Sequence, residues 1–356
     1  MIYEYWLANT GRFTPGQIQK LLKISGDAKG VYHMKKETIQ KVCFWNQEIY
    51  QEYVNEKKSW NLMKKWEQFK RYKMGFLTIF QKEYPDSLKE IYDPPFALYY
   101  YGNIEMLKKN SISIVGARRC SEYGAKTARV LANGLSHRGV CIVSGMAEGI
   151  DSYAHAGALS GSGGTIAVLG CGANVCYPPK NQMMYKTIRE KGLIISEYGP
   201  GVQPVGWHFP MRNRIISGLS NKIIVVEAKE KSGSLITADA ALEQGKDVYA
   251  VPGRILDPLS KGCNELIRQG AGIISDPDAF VSQYNDYIDL RTHDTLPKEL
   301  TADEKKVYMS LDYVPKRIEN IVEEVALEYR QAVVIVSSLI AKGCVRESFK
   351  NQYVRI

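Results

Sequence analysis

An α/β fold, with a mostly parallel sheet covered by helices on both faces, is what this sequence predicts, on three observations. From about Gly75 the chain breaks into short apolar runs punctuated by glycine. Five of these runs, Ile112–Val115, Val140–Val143, Thr165–Leu169, Ile223–Val226 and Asp247–Val251, lack strict polar alternation, as strands buried on both faces do. Between several of them apolar residues recur at helix spacing, as at Ala125, Ala128, Leu131 and Leu135. Alternating strands and helices build a parallel sheet, because parallel neighbours need a crossover and a helix supplies it.

The 356 residues suggest two or three domains at roughly 100–200 residues each. Residues 1–75 are rich in Lys, Gln, Trp and Tyr and poor in β-branched runs, the composition of small packed helices. One helix is expected over Gln17–Leu22, after the Thr14-Pro15-Gly16 start signal, and another around Trp45–Phe69. Residues 76–285 carry the strand–helix alternation, and 286–300 read as a polar linker. Residues 301–356 show helical periodicity and end in Gly343-Cys-Val-Arg and Gln352-Tyr-Val-Arg, which suits helices followed by a short hairpin, a winged helix.

The net charge is +9, from 47 Lys+Arg and 38 Asp+Glu. It is unevenly spread: +7 over residues 1–75, +3 over 76–285 and −1 over 286–356. A basic excess permits an anionic partner without identifying one. The lysine pairs Lys57-Lys58 and Lys64-Lys65 read first as a solvated helix face. No apolar run approaches the ~18–20 residues that span a bilayer, and the start, with Glu4 interrupting its apolar stretch, has no basic leader region. Seven scattered cysteines without a CxxC pair argue against disulfides or zinc, so a reducing cytoplasm is expected, with no metal, no cofactor and no membrane.

Five motifs carry chemistry. Val115-Gly116-Ala117-Arg118-Arg119 follows a strand; Gly116 permits a tight turn, and two guanidinium forks beside a helix start favour an anion. Ser144-Gly145 likewise ends a strand at the carboxyl edge, where open α/β sheets bind ligands. Asp151 and His155 are expected to bond to one another within the next helix rather than to form a hydrolase site, since Ser144 lacks the GxSxG elbow. The loop Gly170–Asn181 brings Lys180 and Asn181 to a helix start, with Cys171 and Cys176 read as buried thiols. Arg212 and Arg214 share a side only in extended backbone and diverge if a helix begins there. Ser232-Gly233-Ser234-Leu-Ile-Thr237 presents hydroxyls and free N–H groups at a helix start, the best local phosphate site, with simple capping as the bland alternative. Phe209 is open between base stacking and core.

The order of these motifs, with Phe209-Pro-Met-Arg-Asn-Arg214, Val225-Val-Glu-Ala228 and Ala250-Val-Pro-Gly253, resembles the DNA-processing protein A family (DprA/Smf) of bacterial natural transformation. The resemblance implies a Rossmann-like core that binds single-stranded DNA, forms a homodimer and helps load the recombinase RecA, with no catalysed reaction. It also implies a small N-terminal helical domain of the sterile-alpha-motif type and a C-terminal winged helix. The DNA contacts it points to are Arg118, Ser144, Gly145, Lys180, Asn181, Arg212, Arg214 and the Ser232–Thr237 loop with Ser232, Gly233, Ser234 and Thr237, and the first motif adds Gly116, Ala117 and Arg119 as candidates beside Arg118. Two positions depart from the family: Ala117 stands where serine is usual and Asn174 where aspartate often stands.

The rival class is an enzyme, a nucleotide-binding phosphoribohydrolase of the cytokinin-activating type, whose phosphate turn PGGxGTxxE ends in a catalytic glutamate. Here Ala240 occupies that position, and Glu243, one turn later, keeps the enzyme reading open. A nucleotide sensor using the same pocket is a third class.

Overall fold

The computed structural model describes residues 1–284, 300–312 and 314–355, so the expected linker 286–300 lies outside the described residues except for Leu300. Six helices come first: α1 (Ile2–Asn9), α2 (Pro15–Ser25), α3 (Ala28–Tyr32), α4 (Lys36–Cys43), α5 (Gln47–Ser59) and α6 (Leu62–Lys70). A reciprocal capping box starts α2: the Thr14 hydroxyl accepts from Gln17 N–H while the Gln17 side chain accepts from Thr14 N–H. The expected Gln17–Leu22 helix is thus the middle of a longer one. The expected Trp45–Phe69 helix is two, because Asn61 caps a new start by accepting from Lys64 N–H.

The central part runs β1 (Gly75–Thr78), α7 (Asp86–Lys89), β2 (Ala97–Gly102), β3 (Ser111–Val115), α8 (Glu122–His137), β4 (Cys141–Ser144), α9 (Ile150–Ala158) and β5 (Thr165–Leu169). It continues with α10 (Gln182–Lys191), β6 (Leu193–Ser196), α11 (His208–Leu219), β7 (Lys222–Val225), α12 (Gly233–Glu243), β8 (Asp247–Ala250), α13 (Lys261–Arg268), β9 (Gly272–Ile273) and α14 (Pro277–Ser282). Among the described residues these strands form one sheet in the order β1-β2-β6-β5-β4-β3-β7-β8-β9. Every pairing from β6 across to β9 is parallel, whereas β1–β2 and β2–β6 are antiparallel. The five expected strands are β3, β4, β5, β7 and β8 to within a residue or so at each end.

From β3 the chain steps outward through β4, β5 and β6, then returns to build β7, β8 and β9 on the other side of β3. The reversal leaves a crevice between the carboxyl ends of β3 and β7, the switch point at which such sheets take ligands.

The antiparallel extension explains where the first helices go. Tyr5 and Phe69 pack against Phe76 of β1 and Tyr99 of β2, with ring centroids 5.7–6.4 Å apart. Asn9 donates to the Tyr99 hydroxyl. These helices therefore share one apolar cluster with the sheet edge rather than closing a core of their own.

After residue 300 come α15 (Ala302–Ser310), β10 (Lys316–Arg317), α16 (Ile318–Val325), α17 (Tyr329–Ala341), β11 (Val345–Phe349) and β12 (Gln352–Arg355). The strands pair antiparallel in the order β10-β12-β11 over a separate cluster that includes Val307, Ile321, Val336 and Leu339. This is the element order of a winged helix. An ion pair from Asp312 to Arg129 of α8 joins it to the central part. No described helix is long and apolar enough to cross a membrane.

Candidate functional site

The switch point opens into a cleft of about 510 Å³. The turn after β3, Gly116–Arg119, lines one part of it, and the loop and helix start after β7, Lys229 and Lys231–Ser234, line another. Phe209, Arg212 and Asn213 reach it from α11. Gly116 is required by close approach: a Cβ there would lie 2.7 Å from the Ile150 side chain and 2.9 Å from the Glu227 carbonyl. Gly149, at φ +78°, brings α9 equally close to the carbonyl of Ala117, whose own small side chain is buried. The departure at Ala117 thus removes a hydroxyl from an inward-facing position. Arg118 and Arg119 are exposed at the cleft.

The turn is held from behind by a buried carboxylate. Glu227 accepts from both the N–H and the hydroxyl of Ser121, and Ser121 caps α8 by accepting from Gly124 N–H. Across the cleft Ser232 caps α12, its hydroxyl accepting from Ser234 N–H and bonding to the Ser234 hydroxyl at 2.8 Å. Capping and ligand binding are compatible here, because one serine satisfies one N–H and the others of the first turn remain. Gly233 has open space where a Cβ would be, while Ser234 and Thr237 lie buried beneath it. Asn213 donates to the Gly233 carbonyl and ties this helix start to α11.

Beneath the cleft lies a buried polar floor. Asp151 accepts from the N–H groups of Gly145 and Ala147 at 3.1 and 3.3 Å. Burial raises its pKa, opposed by the charges of Arg212 and Arg118 and by those two amides. The expected Asp151–His155 bond does not form. Gly149 rather than Asp151 precedes the first turn of α9, so the carboxylate faces back into the preceding loop. His155 instead accepts from Met146 N–H at Nε2 and bonds Thr165 through Nδ1, while the Thr165 hydroxyl donates to the Ile142 carbonyl. With its hydroxyl proton committed, Thr165 accepts from Nδ1–H, which fixes a neutral imidazole.

That tautomer has a measurable consequence. Burial, and secondarily Arg212, push the His155 pKa down to about 3. In the unfolded chain a histidine takes its proton near pH 6.5. Between those values the unfolded state binds the extra proton, so this residue's contribution to stability falls as pH drops from 6.5 toward 3. Asp151, with its raised pKa, acts in the opposite direction as it protonates. Urea unfolding at pH 6.5 and pH 5 should show a loss of about 2 kcal/mol traceable to His155. His155→Gln should be less stable than the parent at pH 7 yet lose less between the two pH values. An equal loss in both proteins would refute the assignment.

The structure brings together Gly116, Ala117, Arg118, Arg119, Arg212, Ser232, Gly233, Ser234 and Thr237 around the cleft. Gly145 lines an adjoining recess of about 200 Å³ with Arg118, Tyr177 and Phe209, and Phe209 borders both spaces. Four expected residues are placed elsewhere. Ser144 is wholly buried, its hydroxyl donating to the Ile114 carbonyl at 2.7 Å. Asn181 is buried and donates to the Met146 carbonyl and the Ser152 hydroxyl. Lys180 is exposed and 3.5 Å from Glu148. Arg214 forms a two-pronged contact with Glu197, both N–O distances 2.8 Å. A helix does begin at His208, so Arg212 and Arg214 diverge; Arg212 turns inward, where its Nη1 donates to the carbonyls of Gly145 and Val168. Asn174 accepts from Gly201 N–H, a role open to either an amide or a carboxylate. Cys171 is buried and Cys176 half-buried; both stay free, and burial pushes both thiols up to about 11.

Lys229 and Lys231 line the cleft and were not among the expected residues. Their signal was present: both follow the carboxyl end of β7 and immediately precede the serine-glycine helix start.

The sheet order and the cleft coincide with the span matched by the family described as DNA recombination-mediator protein A, residues 75–285. The chain belongs to this family. DNA processing protein DprA of Streptococcus pneumoniae is 47% identical over 212 residues, which cover 60% of this chain and 75% of the relative. Protein Smf of Escherichia coli is 44% identical over 196 residues, covering 55% and 52%. Among solved structures, DNA processing protein A of S. pneumoniae superposes with a TM-score of 0.71 at 39% identity, covering 80% of this chain and 98% of its own. The Helicobacter pylori protein, whose structure is described as showing a single-stranded DNA binding mode, superposes at 0.55 with 32% identity, covering 59% and 94%. The regions of this DprA-family chain outside 75–285, the first helices and the C-terminal helices and strands, lie beyond the family match.

Proposed function

We propose that the cleft binds the phosphates of single-stranded DNA and that the chain is a recombination mediator, protecting incoming strands and loading RecA during natural transformation, as a cytoplasmic homodimer. One observation supports this most directly: Arg118, Arg119, Lys229 and Lys231 converge on one cleft, and none forms an ion pair among the described residues. Arg214, by contrast, is paired with Glu197, and Lys180 lies at the surface 3.5 Å from Glu148. We assign Ser144, Asn181, Arg212 and Arg214 to holding the cleft in shape, and the exposed arginines, the lysines and the Ser232–Thr237 helix start to the phosphates. Residues 1–75 and 301–356 are read as accessory units on the 76–285 core. The slight acidity of the last unit fits a protein contact better than DNA.

The phosphoribohydrolase alternative lacks a carboxylate in the right place. Ala240 replaces the glutamate, and Glu243 is exposed and does not line the cleft. Asp151, the carboxylate that does, is occupied by two amides.

Salt-titrated binding to single- and double-stranded oligonucleotides of equal length tests the reading. Single strands should bind more tightly, with log affinity falling against log salt by about 0.7 per phosphate neutralised, hence about 3 for all four cations. Saturable mononucleotide binding without any gain from length, or release of base from nucleoside monophosphates, would overturn it. RecA filaments should also nucleate faster on protein-coated single strands when the chain is present.

A further inference from the structure

Four of the five tryptophans, Trp6, Trp45, Trp60 and Trp66, lie among the first helices, buried or half-buried. Trp207 stands apart at 64% exposed. It sits between two cleft-lining residues, directly after Gly206 and two before Phe209. Consecutive Cα atoms are about 3.8 Å apart, so the indole is attached at the rim itself.

Its local structure holds it outward. His208 N–H bonds to the Val205 carbonyl at 2.9 Å, closing a turn over residues 205–208 just before α11. The His208 ring is buried, stacked on Tyr198 at 3.9 Å and bonded through Nδ1 to the Gly170 carbonyl. Trp207 meets that anchored imidazole at 4.1 Å with the ring planes 74° apart. One contact thus fixes the indole while most of its surface remains in solvent. A large aromatic surface kept at the rim of a cationic cleft has the chemistry of a platform for a planar, apolar-faced group that carries an anion.

We propose that Trp207 is a stacking platform for a nucleobase of the strand whose phosphate occupies the cleft. The inference rests on the single-stranded DNA reading and adds to it a contact with the base face. Stacking of this kind accepts every base, with purines favoured by their larger rings, and reads no hydrogen-bonding edge. A strand held only through phosphates is indifferent to whether its bases are present; a strand held at Trp207 is not.

The full-length chain is titrated with an adenine-rich oligonucleotide and with an abasic oligonucleotide of the same length, following tryptophan emission and, separately, anisotropy of a labelled strand. The base-bearing strand should quench part of the emission, and Trp207→Phe should lose that quench while still binding. Trp207→Ala should weaken the base-bearing strand at least about fivefold, the low end for one stacked base, and leave the abasic strand unchanged. Unchanged affinity in Trp207→Ala, equal weakening for both strands, or an altered oligomeric state without a base-dependent loss would overturn the proposal while leaving phosphate binding intact. Failure of the parent chain to bind either strand would overturn both readings. Because Trp207 is exposed, the thermal midpoints of both variants should match the parent.

Discussion

Arg212→Met should lower folding stability by about 3–5 kcal/mol, the loss expected when one partner is removed from a buried charge network. Arg212 is 5% exposed. Its Nη1 donates to the carbonyls of Gly145, at 2.7 Å, and Val168, and its Nε donates to Asn213 at 3.2 Å. These carbonyls lie where β4 and β5 finish, so the guanidinium joins two strand ends whose ladder partners have run out. Burial lowers the Arg212 pKa, and the neighbouring Asp151 charge opposes that shift. Methionine fills much of the same volume but leaves two carbonyls unsatisfied and Asp151 buried without its main counter-charge. Lysine should not rescue the loss, since a single ammonium cannot reproduce the planar fork. The comparison is Arg214→Met, which breaks the less deeply buried pair with Glu197 and should cost less than Arg212→Met. Thermal unfolding of the three variants checks the ranking. A midpoint for Arg212→Met within a degree of the parent would show that the floor of the cleft is not held by this side chain.

How far such roles were legible in the sequence depends on what each residue's position leaves open. The central strands were legible because β3, β4, β5 and β7 are covered on both faces, which forces continuous apolar runs. The same fact hid the role of Ser144. As the last residue of a doubly covered strand it is buried whichever way it faces, so its hydroxyl serves the Ile114 carbonyl. The antiparallel edge was not legible: the tyrosine-rich run of β2 gains its burial from Tyr5 and Phe69, far away in the chain. The divergence of Arg212 and Arg214 hinged on whether a helix begins at His208, which no strong cap announces, since Trp207 offers no side-chain bond to the first turn. The expected Asp151–His155 bond fails because α9 has Gly149 at its N-cap, two residues before Asp151, a shift that the spacing of Asp151 and His155 does not reveal. The cleft itself was legible in outline because glycine, serine and arginine directly after apolar runs fall at one sheet edge. That β3 and β7 are neighbours, so that Arg118 and Lys231 meet at one cleft, is a property of strand order and not of spacing.

Arg118→Ala should weaken single-stranded DNA binding by about 10- to 150-fold, the range for losing a hydrogen bond to a charged group, while leaving folding unchanged. Arg118 is exposed at the cleft, makes no ion pair among the described residues, and has its guanidinium carbon 5.5 Å from the centre of the Phe209 ring. A phosphate bound there would therefore meet a cation that gives up no carboxylate partner to bind it, unlike Arg214. The loss should be uniform across sequences, because phosphate contacts carry no base information. The salt slope should fall by about 0.7 with the one contact removed. Arg118→Lys should keep the slope and recover only part of the affinity, since the charge returns without the two-pronged geometry. Lys231→Ala should reduce the slope by a similar amount, and the double variant by about twice as much if both side chains neutralise phosphates of one strand. Residues 1–75 carry +7 of the total charge and the core only +3. If net charge governed binding, removing one core arginine would scarcely register against that N-terminal excess. Oligonucleotide affinity and slope unchanged in Arg118→Ala would locate the DNA on those helices and remove it from the cleft.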